Sequence, residues 1–247
     1  MTVRLLDAGD GAVTVEFGDV IAPELVAQVA ALGRLVHAAC TRGDLAGVVE
    51  AMPTFRSLTV LYDPLLTSRA ALDPVLLSMV RQGGGQSPPV PAAQWRLPVC
   101  YGAGFGADLA DVATATGLAA DSVVQLHAGT RFSVCMIGFM PGLAFMHGLP
   151  AALAMPRRRE PRLRVPAGTV AITGSLTTIY PWQSPGGWQL IGRCPVPLFD
   201  ASAASPSLLS AGDTVCFEAV SAARFAALQA AIDAGELTAG HWRDRRP

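Results

Sequence analysis

Residues 127–200 contain the stretch on which the fold of this chain depends. The stretch opens with HAGTRFSVCMIGFMPGLAFMHGLP at residues 127–150, continues with PRRREPRLRVPAGTVAITG at 156–174 and closes with YPWQSPGGWQLIGRCPVPLFD at 180–200. Glycine and proline fix the backbone at chosen points, so the aromatic and arginine side chains between them have defined directions. A helix bundle or a plain sheet does not need this composition. The stretch therefore predicts the wall of a binding site that the rest of the chain supports.

The chain around this stretch has short apolar segments separated by glycine or proline, which is typical of strands joined by tight turns. Many short strands with frequent turn residues favour a closed β structure, because closure hides the strand edges. Ser221 is expected to cap a last amphipathic helix that turns Phe225, Leu228 and Ile232 inward. Strands are predicted at residues 95–101, 132–137, 169–173, 189–193 and 214–219, and short helices at 108–116 and 122–127.

The N-terminal part of the chain follows a different order. Residues 13–17 alternate as a half-buried strand, and from Pro23 onward apolar residues recur at helical spacing. The order strand, helix, strand, strand, helix predicts a ferredoxin-like α+β sandwich, with the strand pairing left open. The helical positions are Leu25, Val29, Leu32 and Val36, and the further elements are strands at 48–52 and 57–62 and a helix at 68–80.

The segment QGGGQSPPVPAA at residues 82–93 separates these two parts. Three glycines followed by three prolines in a polar stretch do not pack as a helix or a central strand. A chain of 247 residues is long enough to give each part its own core. We therefore expect an α+β domain at residues 1–88 and a β-barrel domain at residues 89–247.

The composition excludes several classes of function. The net charge of -1 gives no bulk attraction to nucleic acid or to an anionic membrane. All 18 basic residues are arginines, so a lysine Schiff base or a P-loop lysine is excluded. The five cysteines are widely scattered, none at CxxC spacing, and predict no metal site. The N-terminus has no secretory pattern and no apolar run approaches a membrane span, so the cytoplasm is the expected location.

Four features of the deciding stretch are candidates for chemistry. His127 would be a general base, or a satisfied core histidine at a helix end. The turn at residues 138–142 would bring backbone amides close to a ligand, or only join two strands. The arginine run at 157–164 would bind a carboxylate or phosphate, or be a solvated face. The rigid loop at 180–188 is typical of recognition sites. No GxSxG, HExxH, GxGxxG or P-loop motif occurs, so the chain is expected to be half of a site.

The segments GFMPGLAFMHGLP, PRRREPRLRVPAGTVAITG and IYPWQSPGGWQLIGRCP resemble the motifs of the carboxyltransferase-domain family, which includes allophanate hydrolase subunit 1. The segments GDGAVTVEFGD, PTFRSLTVLYDP and PVCYGAGFGADLADVA fit the same family, so the resemblance covers nearly the whole chain. It implies that the C-terminal barrel is cyclophilin-like. It also implies work in a complex: the B-subunit of a 5-oxoprolinase acts with subunits A and C to open 5-oxo-L-proline to L-glutamate at the expense of ATP.

The resemblance leaves two alternatives open. In related biotin-dependent enzymes the same domains move a carboxyl group to urea, so the chain would be the carboxyltransferase half of a urea or allophanate-type enzyme. Some members of the family inhibit histidine kinases, so the chain would instead be a binding module for such a kinase. Neither alternative implies a metal ligated by this chain. A neighbouring biotin-domain gene would favour the first, and an altered rate of kinase autophosphorylation the second.

Carrying the family motifs over position by position places a set of residues on the pocket side of the barrel. His127 is the implied base, and an arginine is the implied partner of a substrate carboxylate. One departure concerns specificity: Ser175 and Leu176 stand where the family commonly has Gly-Gln, which removes two donors and an acceptor. The implied substrate-binding residues are Phe139, Pro141, Gly142, Arg157, Arg158, Tyr180, Pro181, Ser184, Gly186 and Gly187.

Overall fold

The structure is a computed structural model that describes residues 3–83, 93–102 and 104–244. The chain divides into two compact units, Met1–Pro91 and Ala92–Pro247. The predicted boundary between residues 88 and 89, most of the predicted linker and the last three residues lie outside the described residues. Within the described ranges, no helix is long and apolar enough to cross a membrane.

The first unit is a four-stranded antiparallel sheet in the order β1-β2-β4-β3 with two helices. Alternation in β2 buries Val13 and Val15, and the helical spacing in α1 buries Leu25 and Val29 in the same core cluster. The spacing-based prediction for α1 is confirmed, while the ferredoxin-like assignment stays a prediction. The elements are β1 (Arg4–Asp7), β2 (Ala12–Glu16), α1 (Pro23–Arg42), β3 (Val48–Pro53), β4 (Ser57–Tyr62) and α2 (Arg69–Gly83).

The second unit contains nine strands and three α-helices among its described residues. Ser221 caps the last helix, α5, because its hydroxyl accepts a hydrogen bond from the Arg224 backbone N–H at 3.2 Å. The elements are β5 (Gln94–Tyr101), α3 (Leu109–Thr116), α4 (Ala120–Ala128), β6 (Arg131–Ile137), β7 (Ala144–His147), β8 (Arg162–Val165), β9 (Thr169–Thr173), β10 (Leu176–Ile179), β11 (Ser184–Gly186), β12 (Gln189–Arg193), β13 (Thr214–Ala219) and α5 (Ala222–Asp233), with short 3₁₀ turns at Ala151–Leu153 and Ala239–Trp242.

Seven of these strands close into a barrel in the order β10-β7-β6-β13-β5-β12-β9, and the β9–β10 hairpin completes the ring. Strands β5 and β13 pair in parallel, and the other neighbours in the ring are antiparallel. The prediction of a closed β structure and of a mixed α and β chain is confirmed. Strands β8 and β11 form a separate two-stranded sheet outside the ring.

Alternation along the barrel strands gives the barrel wall two apolar faces. In β9, Val170 and Ile172 belong to the cluster that fills the barrel, whereas Ala171 belongs to a second, smaller cluster. In β12, Ile191 belongs to the barrel cluster and Leu190 to the smaller one. Because consecutive side chains of a strand point to opposite faces, the smaller cluster lies on the outer face of the barrel wall.

Candidate functional site

A pocket of about 180 Å³ lies over the smaller apolar cluster, on the outer face of the barrel. Its floor comes from outward-facing side chains of the wall, such as Phe145 of β7 and Thr178 of β10. The two-stranded β8–β11 sheet and the segment before it contribute the opposite side. The lining residues are Phe139, Leu143, Phe145, Arg157, Arg158, Pro161, Thr178, Tyr180, Pro185, Gly186, Gly187 and Trp188.

The walls of the pocket are aromatic and its charges are positive. Phe145 and Trp188 pack against each other with ring centroids 5.9 Å apart. The Arg157 guanidinium lies over the Trp188 ring at 6.0 Å from its centroid, a cation–π distance. Arg158 is the second cation, and none of the lining residues is acidic. The pocket is therefore suited to a small ligand with an apolar body and a negative group.

A buried carboxylate, that of Asp108, holds the arginine segment in place. Only 1% of Asp108 is exposed. Its Oδ1 accepts from Arg162 Nη2 at 2.5 Å and lies 3.4 Å from Arg158 Nη1, while its Oδ2 accepts from the Leu190 backbone N–H at 2.7 Å. One carboxylate thus joins the start of α3, strand β12 and the arginine segment. Since two guanidiniums share one carboxylate, the cluster keeps a net positive charge.

The turn before α3 lies against β12, and this close approach positions Asp108. The Asp108 backbone N–H donates to the Leu190 carbonyl at 2.8 Å. A Cβ atom at Gly106 would overlap the Ile191 carbonyl, so only glycine allows the turn to approach β12 this closely. This main-chain contact places the Asp108 side chain within hydrogen-bond distance of the Leu190 N–H and of the arginines.

One side-chain nitrogen of Arg158 and one of Arg162 lack a hydrogen-bond acceptor in the described part of the chain. Arg158 Nε and Arg162 Nη1 are buried and have no hydrogen-bond partner among the described residues. A buried donor without an acceptor costs about 1–3 kcal/mol. Of these two arginines only Arg158 lines the pocket, so its side chain is the one that a ligand there would contact.

The rim of the pocket carries an exposed aromatic side chain on an unusual backbone. Phe139 has φ of 70°, which is the left-handed region, and 73% of the residue is exposed. A bulky residue in this region is strained by about 1–3 kcal/mol, and such strain concentrates at functional sites. The conformation directs an apolar side chain to the mouth of the pocket, where a ligand or a partner surface would cover it.

The structure brings together some of the residues that the sequence resemblance placed in the pocket. Pro141 does not line it, and its carbonyl accepts from Trp182 Nε1 at 3.1 Å. Gly142 packs against the backbone of Leu198, and the Ser184 hydroxyl donates to the Pro185 carbonyl. Pro181 lines a different groove, beside α5. The predicted residues that do line the pocket are Phe139, Arg157, Arg158, Tyr180, Gly186 and Gly187.

His127 lies on the other side of the barrel wall, which corrects its expected place on the pocket side. It is fully buried and stacks on Phe217 with centroids 4.8 Å apart. Its Nδ1 is 2.8 Å from the Tyr101 hydroxyl, and its Nε2 is 2.9 Å from Thr177 Oγ1. Thr177 faces into the barrel while its neighbour Thr178 faces the pocket.

The hydrogen bonds define the tautomer of His127. The Thr177 hydroxyl donates its one proton to the Ala171 carbonyl at 3.1 Å, so it accepts from His127. Nε2 therefore carries the ring proton, and Nδ1 accepts from the Tyr101 hydroxyl. Burial lowers the pKa of His127 to about 3, and burial raises the pKa of Tyr101. The geometry is that of a satisfied, neutral core histidine.

Asp108 and Phe145 were not predicted from the sequence as site residues, and Trp188 was included only as the end of the loop at 180–188. The only local signal for Asp108 was an acidic residue after a glycine-rich turn and before a helix, which by itself predicts an N-cap. The partners of its carboxylate come from far along the chain, at Arg158, Arg162 and Leu190. No group of three or more His, Cys, Asp or Glu that could hold a metal occurs within the described ranges.

Comparison with known sequences identifies relatives over most of the chain. Residues 3–209 match the family described as Carboxyltransferase domain, subdomain C and D. The chain is 35% identical over 240 residues to the 5-oxoprolinase B-subunit of Bacillus subtilis (strain 168), with 90% of this chain and 95% of that protein covered. It is 40% identical over 176 residues to the 5-oxoprolinase B-subunit of Escherichia coli O157:H7, with 70% and 79% covered.

Two solved structures share the fold. The crystal structure of TTHA0988 aligns with a TM-score of 0.73 at 34% identity, over 89% of this chain and 40% of that chain. This chain therefore corresponds to less than half of that longer one. The urea carboxylase of Kluyveromyces lactis aligns with a TM-score of 0.77 over 96% of this chain and 23% of that one. Its identity of 20% supports a likeness of fold alone.

Proposed function

The chain belongs to the family of carboxyltransferase domains, subdomain C and D, and on that premise we propose that it is the B-subunit of an ATP-dependent 5-oxoprolinase. With subunits A and C it would open 5-oxo-L-proline to L-glutamate. The observation that carries this proposal is the 35% identity to a 5-oxoprolinase B-subunit over 95% of that relative's length. We propose the same two-domain division that the sequence predicts, at residues 1–88 and 89–247, and a cytoplasmic location.

The substrate pocket of this proposal is the cavity between Phe139 and Trp188. A 5-oxoproline molecule combines a compact ring, an amide and a carboxylate. The ring would pack on Phe145 and Trp188, and the carboxylate would face Arg157 and Arg158, the two cations of the lining. The cavity of about 180 Å³ is below the roughly 300 Å³ at which drug-sized sites begin, which suits a ligand this small.

The same cavity does not fit a nucleotide triphosphate. It is too small, and the chain has no lysine and no P-loop motif to hold phosphates. We therefore propose that ATP binds elsewhere in the assembled complex. Of the predicted residues outside the lining, Pro141 and Gly142 would shape the rim, and Pro181 and Ser184 would fix the loop that carries Gly186 and Gly187.

Proton transfer in this proposal does not use His127 as a base. A neutral imidazole with both nitrogens bonded inside the barrel has neither a free lone pair nor a path to the pocket. His127 would instead fix the inner face of the wall through Thr177. The base would come from a partner subunit, which makes the site composite.

Turnover by the assembled complex tests the proposal. This chain is coexpressed with candidate subunits A and C, and the complex is supplied with 5-oxoproline and ATP. The proposal expects glutamate and ADP in parallel, and an Arg158→Gln variant with KM raised at least tenfold, because the carboxylate loses a charge-assisted contact. A correctly assembled complex that forms no glutamate would show that the proposal is wrong.

Because the fold resembles that of a urea carboxylase, the same experiment also tests the carboxyltransferase alternative. The same complex is supplied with urea, bicarbonate, ATP and a biotin-carrying partner. Carboxylation of urea would favour the carboxyltransferase alternative, whose support at 20% identity is the fold alone. The histidine-kinase hypothesis stays a prediction, and a kinase autophosphorylation rate left unchanged by the purified chain would argue against it.

A further inference from the structure

The hydroxyl of Tyr180 lies at the pocket in a position that a neighbouring glycine makes possible. Tyr180 is 3% exposed and belongs to the apolar cluster below the pocket. A Cβ atom built on Gly186 would lie 2.5 Å from the Tyr180 hydroxyl oxygen, closer than real Cβ contacts come. The absent side chain of Gly186 thus leaves the space that the phenol oxygen occupies, and Gly186 itself lines the pocket.

The pocket is lined by two hydroxyl groups, and they differ in what they donate to. The Thr178 hydroxyl donates its proton to the Ala144 carbonyl at 2.7 Å. The Tyr180 hydroxyl makes no hydrogen bond to any residue in the part of the chain that the structure describes. The Tyr180 oxygen is not among the buried side-chain atoms that lack a partner, so it is accessible from outside the protein. Tyr180 therefore presents an accessible proton donor, and a ligand in the pocket can supply the acceptor.

The surroundings of Tyr180 keep the phenol protonated and close to a cation. Burial raises the pKa of Tyr180, and the nearby Arg157 charge offsets part of that rise. The hydroxyl is thus a neutral donor at physiological pH. A neutral donor is suited to an amide carbonyl oxygen, whereas the guanidiniums of Arg157 and Arg158 are suited to a carboxylate.

We propose that the Tyr180 hydroxyl donates a hydrogen bond to the carbonyl oxygen of a ligand that carries both an amide and a carboxylate, and so selects amide acids over simple acids. The inference rests on the proposed function for the pocket, and it adds the group that recognises the amide. Gly186 is the residue that keeps the hydroxyl in place. A donor held at this oxygen would also stabilise negative charge that develops there when the amide is attacked.

Binding of two probes by the full chain tests the inference. The probes are 5-oxoproline and cyclopentanecarboxylate, which keeps the ring and the carboxylate and lacks the amide. Isothermal titration calorimetry is run on the wild type, on Tyr180→Phe and on Tyr62→Phe, a buried tyrosine of the other unit that serves as the matched control. A net hydrogen bond contributes roughly 1 kcal/mol, or about a fivefold change in Kd.

We expect the wild type to bind 5-oxoproline more tightly than cyclopentanecarboxylate. In Tyr180→Phe the Kd of 5-oxoproline should rise about fivefold or more, while the Kd of cyclopentanecarboxylate stays the same. Tyr62→Phe should keep the preference. Gly186→Ala should reduce it, because the added methyl displaces the hydroxyl. If Tyr180 had only a structural role, Tyr180→Phe would weaken the binding of both probes equally. That result would contradict the inference, and so would an unchanged preference.

Turnover separates this inference from the proposed function. A wild-type complex that forms glutamate, together with a Tyr180→Phe complex of equal kcat and probe preference, overturns the inference and leaves the function. A wild-type complex with no turnover, whose full chain still shows the Tyr180-dependent preference, overturns the function and leaves the recognition of an amide acid. If the wild-type chain and complex bind neither probe, both fail.

Discussion

Replacing Asp108 by asparagine should destabilise the barrel unit strongly. The amide oxygen can still accept from the Leu190 N–H, so the shape of the contact is kept while the charge is lost. Arg158 and Arg162 then lie close together without their shared counter-ion. The perturbation therefore isolates the charge that holds the arginine segment against the barrel.

The structure sets the size of the expected effect. Removing one partner of a buried ion pair typically costs about 3–5 kcal/mol, since an unpaired charge is left behind. Asp108 has a side chain only 2% exposed, whereas the side chains of Arg158 and Arg162 are 36% and 24% exposed and can partly turn to water. This favours the low end of the range, so we expect the free energy of unfolding to fall by about 3 kcal/mol.

Urea unfolding followed by tryptophan fluorescence measures this loss. All four tryptophans follow residue 92, so the signal reports the barrel unit. Asp233→Asn is the matched control in the same unit, because its exposed side chain accepts a hydrogen bond from Gln229 Nε2 at 2.9 Å. A surface substitution of this kind usually changes the free energy of unfolding by no more than about 0.5 kcal/mol. An Asp108→Asn loss of less than about 1 kcal/mol, at an unchanged m value, would refute the assigned role of the carboxylate.

Three further predictions concern the barrel unit. Between pH 7 and pH 5 the free energy of unfolding of this unit should fall by about 2 kcal/mol because of His127, whose folded pKa of about 3 lies below the ordinary value of about 6.5. The contribution is complete above pH 6.5 and is lost as acid protonates the histidine in the unfolded chain. Urea titrations at several pH values should show a weaker pH dependence for His127→Gln. Gly106→Ala should cost more than about 2 kcal/mol, because its methyl overlaps the Ile191 carbonyl, whereas Gly240→Ala, with open space around it, should cost far less in the same assay. Ser221→Ala should cost about 1 kcal/mol in thermal unfolding by loss of the helix cap, and Ser221→Asp should restore most of it.

Local patterns were sufficient to predict much of the fold. The spacing of apolar residues in α1 and the alternation in β9, β12 and β13 each depend on neighbours in sequence, and those elements lie where the patterns predict. Strands β1, β7, β8, β10 and β11 were missed because each is only three or four residues long. Such strands exist through pairing with a distant segment, which a local pattern does not record.

The sequence predicted those site residues that lie next to one another in the chain. Arg157 and Arg158, or Gly186 and Gly187, were singled out because their segments combine charge or glycine with proline. The role of Asp108 depends on partners 50 to 82 positions away, so no spacing rule points to it. His127 was predicted as the base on the family resemblance, and its partners Tyr101 and Thr177 instead make it a core histidine.

A crystal structure of the assembled complex with 5-oxoproline bound would test the central claim most directly, which is that the outer face of the barrel holds the substrate. We expect the ligand between Phe139 and Trp188, with its carboxylate at Arg157 and Arg158 and its amide oxygen within about 3 Å of the Tyr180 hydroxyl. A complex that turns over 5-oxoproline but binds it away from this pocket would contradict the account.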